Sequence, residues 1–197
     1  MAVYGYGTSS PDARLDDNFY TGKVVVDGKE VMLDDGTPLK YEPLAVEQNL
    51  TASKYIETAG ARMKKYEVDR TAYADGRLPN NDIVLYRYAD VLLMKAEALV
   101  RNGESGDAPF NAVRRRVGMA EKAATLDNIL DERLLELAWE GWRRQDLIRF
   151  GRFTQAYDLH TPSQLDAKQT SIVFPIPQKA IDLNGGLTQN PEYETKK

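Results

Sequence analysis

The chain of 197 residues contains no cysteine and a single histidine. Without cysteine there is no disulfide framework, no thiolate nucleophile and no cysteine-based metal site. With His160 alone, a His–His zinc site within one chain is excluded. No run of about 18 apolar residues exists, so no segment reads as a membrane-spanning helix. Neither sign of charge dominates. The 26 Lys+Arg stand against 30 Asp+Glu, a formal net charge of −4, which argues against a nucleic-acid surface. Also missing are a Gly-x-Ser-x-Gly nucleophile elbow, a phosphate-binding glycine loop and a dinucleotide fingerprint. His160, beside Thr161-Pro162-Ser163, therefore reads as a solvated loop residue rather than a triad member. The start, Met1 to Gly7, lacks the basic and apolar regions of a signal peptide. What is present is 42% hydrophobic residues in a length that suits one domain with a real core.

Organisation changes along the chain. Residues 1 to 80 hold Pro11, Pro38, Pro43 and Pro79, many Gly and Asp, and most of the 11 Tyr. This part reads as loops with short strands. Val24-Val25-Val26 and Lys29-Glu30-Val31-Met32-Leu33 flank Asp27-Gly28, a pair suited to the positive φ of a tight hairpin turn. A short helix is expected around Ala45 to Tyr55. Asp34-Asp35-Gly36 lacks the acidic spacing of a calcium loop and reads as a turn. From Asn81 onward the spacing is helical. Val84, Tyr88, Val91, Leu92, Ala96 and Leu99 share a face, Asn81 or Asp82 offers a cap, and Asn102-Gly103 a stop. A second helix is expected from Ala108 to Val117, with Pro109 in its first turn and Gly118 beyond its end. A third is expected from Thr125, as N-cap, to about Phe150. Its apolar surface includes Leu126, Ile129, Leu130, Leu134, Leu137, Trp139 and Trp142. Gly141 inside that helix would cost about 1 kcal/mol and suggests close approach by another backbone. Ile172 to Pro177 reads as extended, followed by one helical turn from Gln178 to Leu183.

Four blocks in this C-terminal half carry a resemblance. They are Asn81 to Ala98; Phe110 to Gly118; Asp131-Glu132-Arg133 through Glu136-Leu137-Ala138-Trp139-Glu140-Gly141-Trp142-Arg143-Arg144-Gln145-Asp146 to Gly151; and Phe174-Pro175-Ile176-Pro177-Gln178 with Leu187 to Tyr193. In order and spacing they resemble the SusD/RagB family of outer-membrane nutrient-uptake lipoproteins. The resemblance covers about residues 81 to 193, with weaker support from Gly60-Ala61-Arg62 to Lys65-Tyr66. It implies a mainly α fold: part of a tetratricopeptide-like α-α superhelix with a loop-rich subdomain containing a short β-hairpin. Residues 1–80 would be that subdomain and a ligand face, and 81–197 the helical region. Family members are much longer and begin with a lipoprotein signal whose Cys is acylated. The expectation is a C-terminal part of such a protein, cut from a longer chain or a short natural form, with the lipid anchor absent. The resemblance further implies a cell-surface, outer-membrane location, a glycan ligand and a SusC-like TonB-dependent transporter as partner. No enzymatic activity, cofactor or metal is implied.

Glu132, Glu136 and Glu140 recur at four-residue spacing, where like charges repel unless cations neutralise them. Arg133, Arg143, Arg144 or Arg114 to Arg116 could do so, and Arg87 with Asp90 and Arg143 with Asp146 have pairing distance. These seven residues, Arg87, Asp90, Glu132, Glu136, Glu140, Arg143 and Asp146, read as a structural charge network rather than the acid and base of a glycosidase. Trp139 and Trp142 could stack on sugars, but core packing is favoured. The ligand contacts are expected among the loop aromatics Tyr4, Tyr6, Phe19, Tyr20 and Tyr41, with Arg14, Asp16, Asp17 and Asn18 nearby. Two alternatives to glycan binding stay open: a transporter-docking scaffold without its own sugar site, and a glycoside hydrolase using the third-helix glutamates.

Overall fold

A computed structural model describes residues 2–9, 11–45, 51, 56–67, 69–72, 74, 76, 79–156, 161–162 and 172–193. The helix expected around 45–55 falls largely outside these residues, as does His160. The chain forms two compact units, Met1–Arg143 and Arg144–Lys197.

The first unit opens with a 3-10 turn, Ala2–Tyr4, and helix α1, Arg14–Asn18. Six two-residue strands follow: β1 (Phe19–Tyr20), β2 (Gly22–Lys23), β3 (Val25–Val26), β4 (Lys29–Glu30), β5 (Lys40–Tyr41) and β6 (Arg62–Met63). They pair antiparallel as β1–β6, β2–β5 and β3–β4. The β3–β4 hairpin is the one expected. Asp27 and Gly28 have φ of 50° and 77°, and Val25 faces Glu30 across the turn. At the next turn the Thr37 N–H donates to Asp35 Oδ1 at 2.8 Å.

Helices α2 (Tyr88–Arg101) and α3 (Asp107–Arg116) form a hairpin that packs on α4 (Leu126–Glu136). Leu93, Ala96, Phe110, Val113, Ile129 and Leu130 supply the core between them. The stop after α2 is a full Schellman motif. Gly103, at φ 78°, donates to the Val100 carbonyl at 3.1 Å, and Glu104 N–H to Leu99 at 2.9 Å. Thr125 caps α4 as expected, its hydroxyl accepting from Asn128 N–H at 3.1 Å.

Two expected boundaries are corrected. Helix α2 begins at Tyr88, not near Asn81. The preceding residue, Arg87, is extended at φ −142°, ψ 162°. Its guanidinium is tied to Glu136 and Glu140, and this long-range pairing overrides the local cap signal of Asn81 and Asp82. The third helix also does not run to Phe150. It stops at Glu136, turns through Trp139 (φ 69°) and Gly141 (φ 81°), and resumes as α5, Arg143–Arg149. Gly141 therefore serves a left-handed turn. A Cβ built there meets nothing within 4 Å, so no backbone approach needs it.

In the second unit, Arg144 lies 5.0 Å from the Phe153 ring centroid and 4.8 Å from that of Phe174. The expected turn forms helix α6, Gln178–Leu183. The proline segment before it is held by Gln189, whose side chain accepts from Ile176 N–H at 2.9 Å and donates to its carbonyl at 2.8 Å.

Candidate functional site

The three glutamates at four-residue spacing meet in one place, although only Glu132 and Glu136 lie on α4. Glu140 reaches the same place from the turn beyond it. Glu132 and Glu136 are each 1% exposed. Arg14 Nη1 donates to Glu132 at 2.7 Å and to Glu136 at 2.8 Å, while its Nε and Nη2 hold Asp12 at 2.9 and 2.6 Å. Arg114 completes Glu132 at 2.6 Å, and Arg116 reaches both oxygens of Glu136, at 2.8 and 3.0 Å. Arg87 bridges Glu136 (2.5 Å) and Glu140 (2.9 Å), and Lys65 pairs with Glu140. Four carboxylates thus meet five cations, which gives the buried charges the partners they require.

This pairing sets the protonation states. Burial alone would raise the Glu136 carboxyl, but Arg87, Arg14 and Arg116 outweigh it and hold the group below its ordinary value. Asp12 behaves likewise, its burial outweighed by Arg14. Lys65 moves downward because burial outweighs its carboxylate partner.

Of the seven residues expected to form a charge network, Arg87, Glu132, Glu136 and Glu140 converge. Asp90 does not pair with Arg87; its Oδ1 accepts from Arg133 at 2.7 Å. Arg143 donates to the Leu130 carbonyl at 3.0 Å, and Asp146 accepts from Arg149 at 2.9 Å. The cations Arg14 and Lys65 were not anticipated as partners. They come from segments more than 70 residues away in sequence.

Beside this network lies an open cleft of about 400 Å³. Arg87, Glu136 and Glu140 line it together with Asp17, Asn18, Tyr66, Asp82 and Arg116. Val84, expected on a helix face, lines it as well.

The loop aromatics separate into inner and outer members. Tyr4 is 3% exposed, its ring is edge-on to Phe19 at 5.1 Å, and its hydroxyl donates to the Leu135 carbonyl at 2.9 Å. Burial pushes that hydroxyl up to about 12. The expectation of Tyr4 as a ligand contact is thus corrected: its ring packs with Leu15 and Leu135 in the core, and Tyr6 and Phe19 pack against that cluster. Tyr20 is exposed, with Lys64 Nζ 5.6 Å from its ring centroid. Tyr41 is half-buried beneath the Arg62 guanidinium at 4.6 Å. Arg14 lines the cleft, with its guanidinium held by three carboxylate partners.

Trp139 overturns the preference for core packing. It is 46% exposed and lies 5.7 Å from Phe19, so Tyr4, Phe19 and Trp139 form an aromatic ladder from core to surface. A bulky side chain at positive φ is a backbone outlier that only surrounding structure can hold. Trp142 is half-buried and tilted against Tyr86 at 5.4 Å. Gly141 was the available sequence signal for this break.

The SusD family model matches residues 2–193. Among curated proteins, the starch-binding protein SusD of Bacteroides thetaiotaomicron is 31% identical over 140 residues, covering 68% of this chain and 25% of its own. A solved surface glycan-binding protein A from Bacteroides thetaiotaomicron superimposes with a TM-score of 0.66. It is 29% identical over 95% of this chain and 40% of that one. A structure of surface glycan-binding protein A from that organism in complex with laminarihexaose is 34% identical, with a TM-score of 0.56 over 66% of this chain and 30% of that one. The chain spans about a quarter of the length of the curated relatives it matches.

Proposed function

The chain belongs to the SusD family, and on that premise we propose that it binds glycan without cleaving it, as part of a longer protein at the outer-membrane surface that passes ligand to a SusC-like TonB-dependent transporter. The observation that carries the binding reading is Trp139, held half-exposed at a left-handed backbone position on a ladder of aromatic rings. Its indole offers a rigid, amphipathic face to the C–H surface of a sugar ring. Tyr20 and Tyr41, with Lys64 and Arg62 beside their rings, are the proposed neighbouring contacts in the loop-rich part. Tyr6 and Phe19 pack against the core cluster, and Phe19 carries the Trp139 ring.

The charge network favours binding over hydrolysis. A glycosidase needs one carboxyl held protonated near neutral pH and a second free to attack or activate water. Glu136 has both oxygens engaged by arginines and a lowered pKa, and Glu140 is tied to Arg87 and Lys65. Affinity electrophoresis through a panel of embedded polysaccharides tests the binding reading. Retardation by at least one glucan, with no reducing sugar released, is expected. Unretarded migration through every polymer, or sugar release lost in Glu136→Gln, would overturn it. A pull-down with the partner transporter tests the delivery step separately.

A further inference from the structure

The cleft beside the glutamate–arginine network is a shaped cavity separate in composition from the aromatic ladder. We propose that it is a second binding site, for a short neutral saccharide of one or two rings. Its volume of about 400 Å³ falls in the range of small-molecule sites, roughly 300–1,000 Å³. Its floor is preorganised, because Arg87, Glu136 and Glu140 are fixed by ion pairs that span distant parts of the chain.

The unused polar groups decide the ligand class. Asp17 and Asp82 are exposed at the cleft and make no ion pair among the described residues. They are acceptors. Arg116 spends only Nη2 on Glu136 and keeps further N–H donors. Asn18 is 4% exposed, and its Nδ2 is a buried donor without a hydrogen-bond partner among the described residues. The Asn18 side chain lies beside the buried Tyr4 hydroxyl and favours its ionised form, against the larger opposing effect of burial. Tyr66 adds a hydroxyl that both donates and accepts, and a ring for stacking.

This mixture fits hydroxyl groups, each of which is donor and acceptor at once. It fits an anion poorly. The five cations of the network face Asp12, Glu132, Glu136 and Glu140, and Asp17 and Asp82 at the cleft turn the local balance negative. An ammonium group would meet Arg87 and Arg116. An apolar ligand would leave the polar lining unpaired. The sugar identity rests on the glycan reading above, whereas the site rests on the cleft.

The test is a titration of the 197-residue chain with maltose, cellobiose and laminaribiose, followed by amide chemical shifts, with inorganic phosphate as competitor. Asp82→Ala and Tyr66→Ala remove groups outside the ion-pair network, and circular dichroism checks each fold. At least one disaccharide should saturate. Both substitutions should weaken it about tenfold, Trp139→Ala should change it less than twofold, and phosphate should not displace it. Overturning results are no saturation by any disaccharide, affinity indifferent to both substitutions, or displacement by phosphate. Disaccharide binding that persists while polysaccharide retardation is absent sinks the aromatic-ladder reading and leaves the cleft standing. Trp139-dependent retardation without disaccharide binding does the reverse.

Discussion

Replacing Trp139 with alanine and, separately, with glycine isolates the backbone conformation at the turn after α4. Both substitutions remove the same indole and the same contact with Phe19, so their difference reports on the backbone: the cost of a Cβ at this φ against the freer unfolded chain of glycine. At φ 69° a Cβ costs about 1–2 kcal/mol. Glycine loses about 0.4–1 kcal/mol through its freer unfolded chain. The glycine variant should therefore be the more stable by about 0.5–1 kcal/mol. In a continuous helix through residue 139 the order would reverse, with alanine ahead by about 1 kcal/mol. Urea unfolding resolves the two, since a slope of about 1–3 kcal/mol/M converts the difference into a midpoint shift of about 0.2–1 M. An alanine variant as stable as the glycine variant, or more so, would refute the strained presentation of the tryptophan.

Four further outcomes follow from the packing and the charges. Glu136→Gln leaves Arg14, Arg87 and Arg116 undercompensated around a position 1% exposed, and chemical denaturation should show a loss of about 3–5 kcal/mol. Glu136 and Asp12 titrate below their ordinary 4.5 and 3.8 in the folded chain. Their added stability is thus complete above about pH 4.5 and is lost as pH falls through the lowered folded values; urea midpoints measured against pH should decline there, and less steeply in Glu136→Gln. Phe110→Ala empties a position 0% exposed at the α2–α3–α4 junction and should cost about 3–5 kcal/mol in the same denaturation assay. Gly106→Ala would place a Cβ 2.6 Å from the Ala96 carbonyl oxygen, and a melting-temperature drop equivalent to about 1–3 kcal/mol is expected.

Features with local causes were legible in the sequence. The Asp27-Gly28 hairpin, the Thr125 cap and the Gly103 stop each depend on a few adjacent residues, and each formed as read. The start of α2 was not legible, because Asn81 and Asp82 carry a sound local signal that Arg87 defeats through partners about 50 residues away. The glutamate spacing pointed to a charge network, but its cations Arg14 and Lys65 could not be found from helix periodicity. Tyr4 read as a loop aromatic because its partner, the Leu135 carbonyl, lies 131 residues on. Trp139 read as core because a helical wheel drawn through Gly141 places it there. The left-handed pair at Trp139 and Gly141 turns it to the surface instead.

The central claim is that this chain holds glycan on surface aromatics without chemistry. Isothermal titration of laminarihexaose and maltohexaose into the folded chain and its Trp139→Ala variant tests it most directly. The account predicts saturable heat with at least one hexasaccharide, no reducing ends released, and affinity about tenfold weaker or worse in the variant, the effect of truncating an aromatic hot spot. Flat heats with both ligands, or equal affinity in the variant, would contradict it.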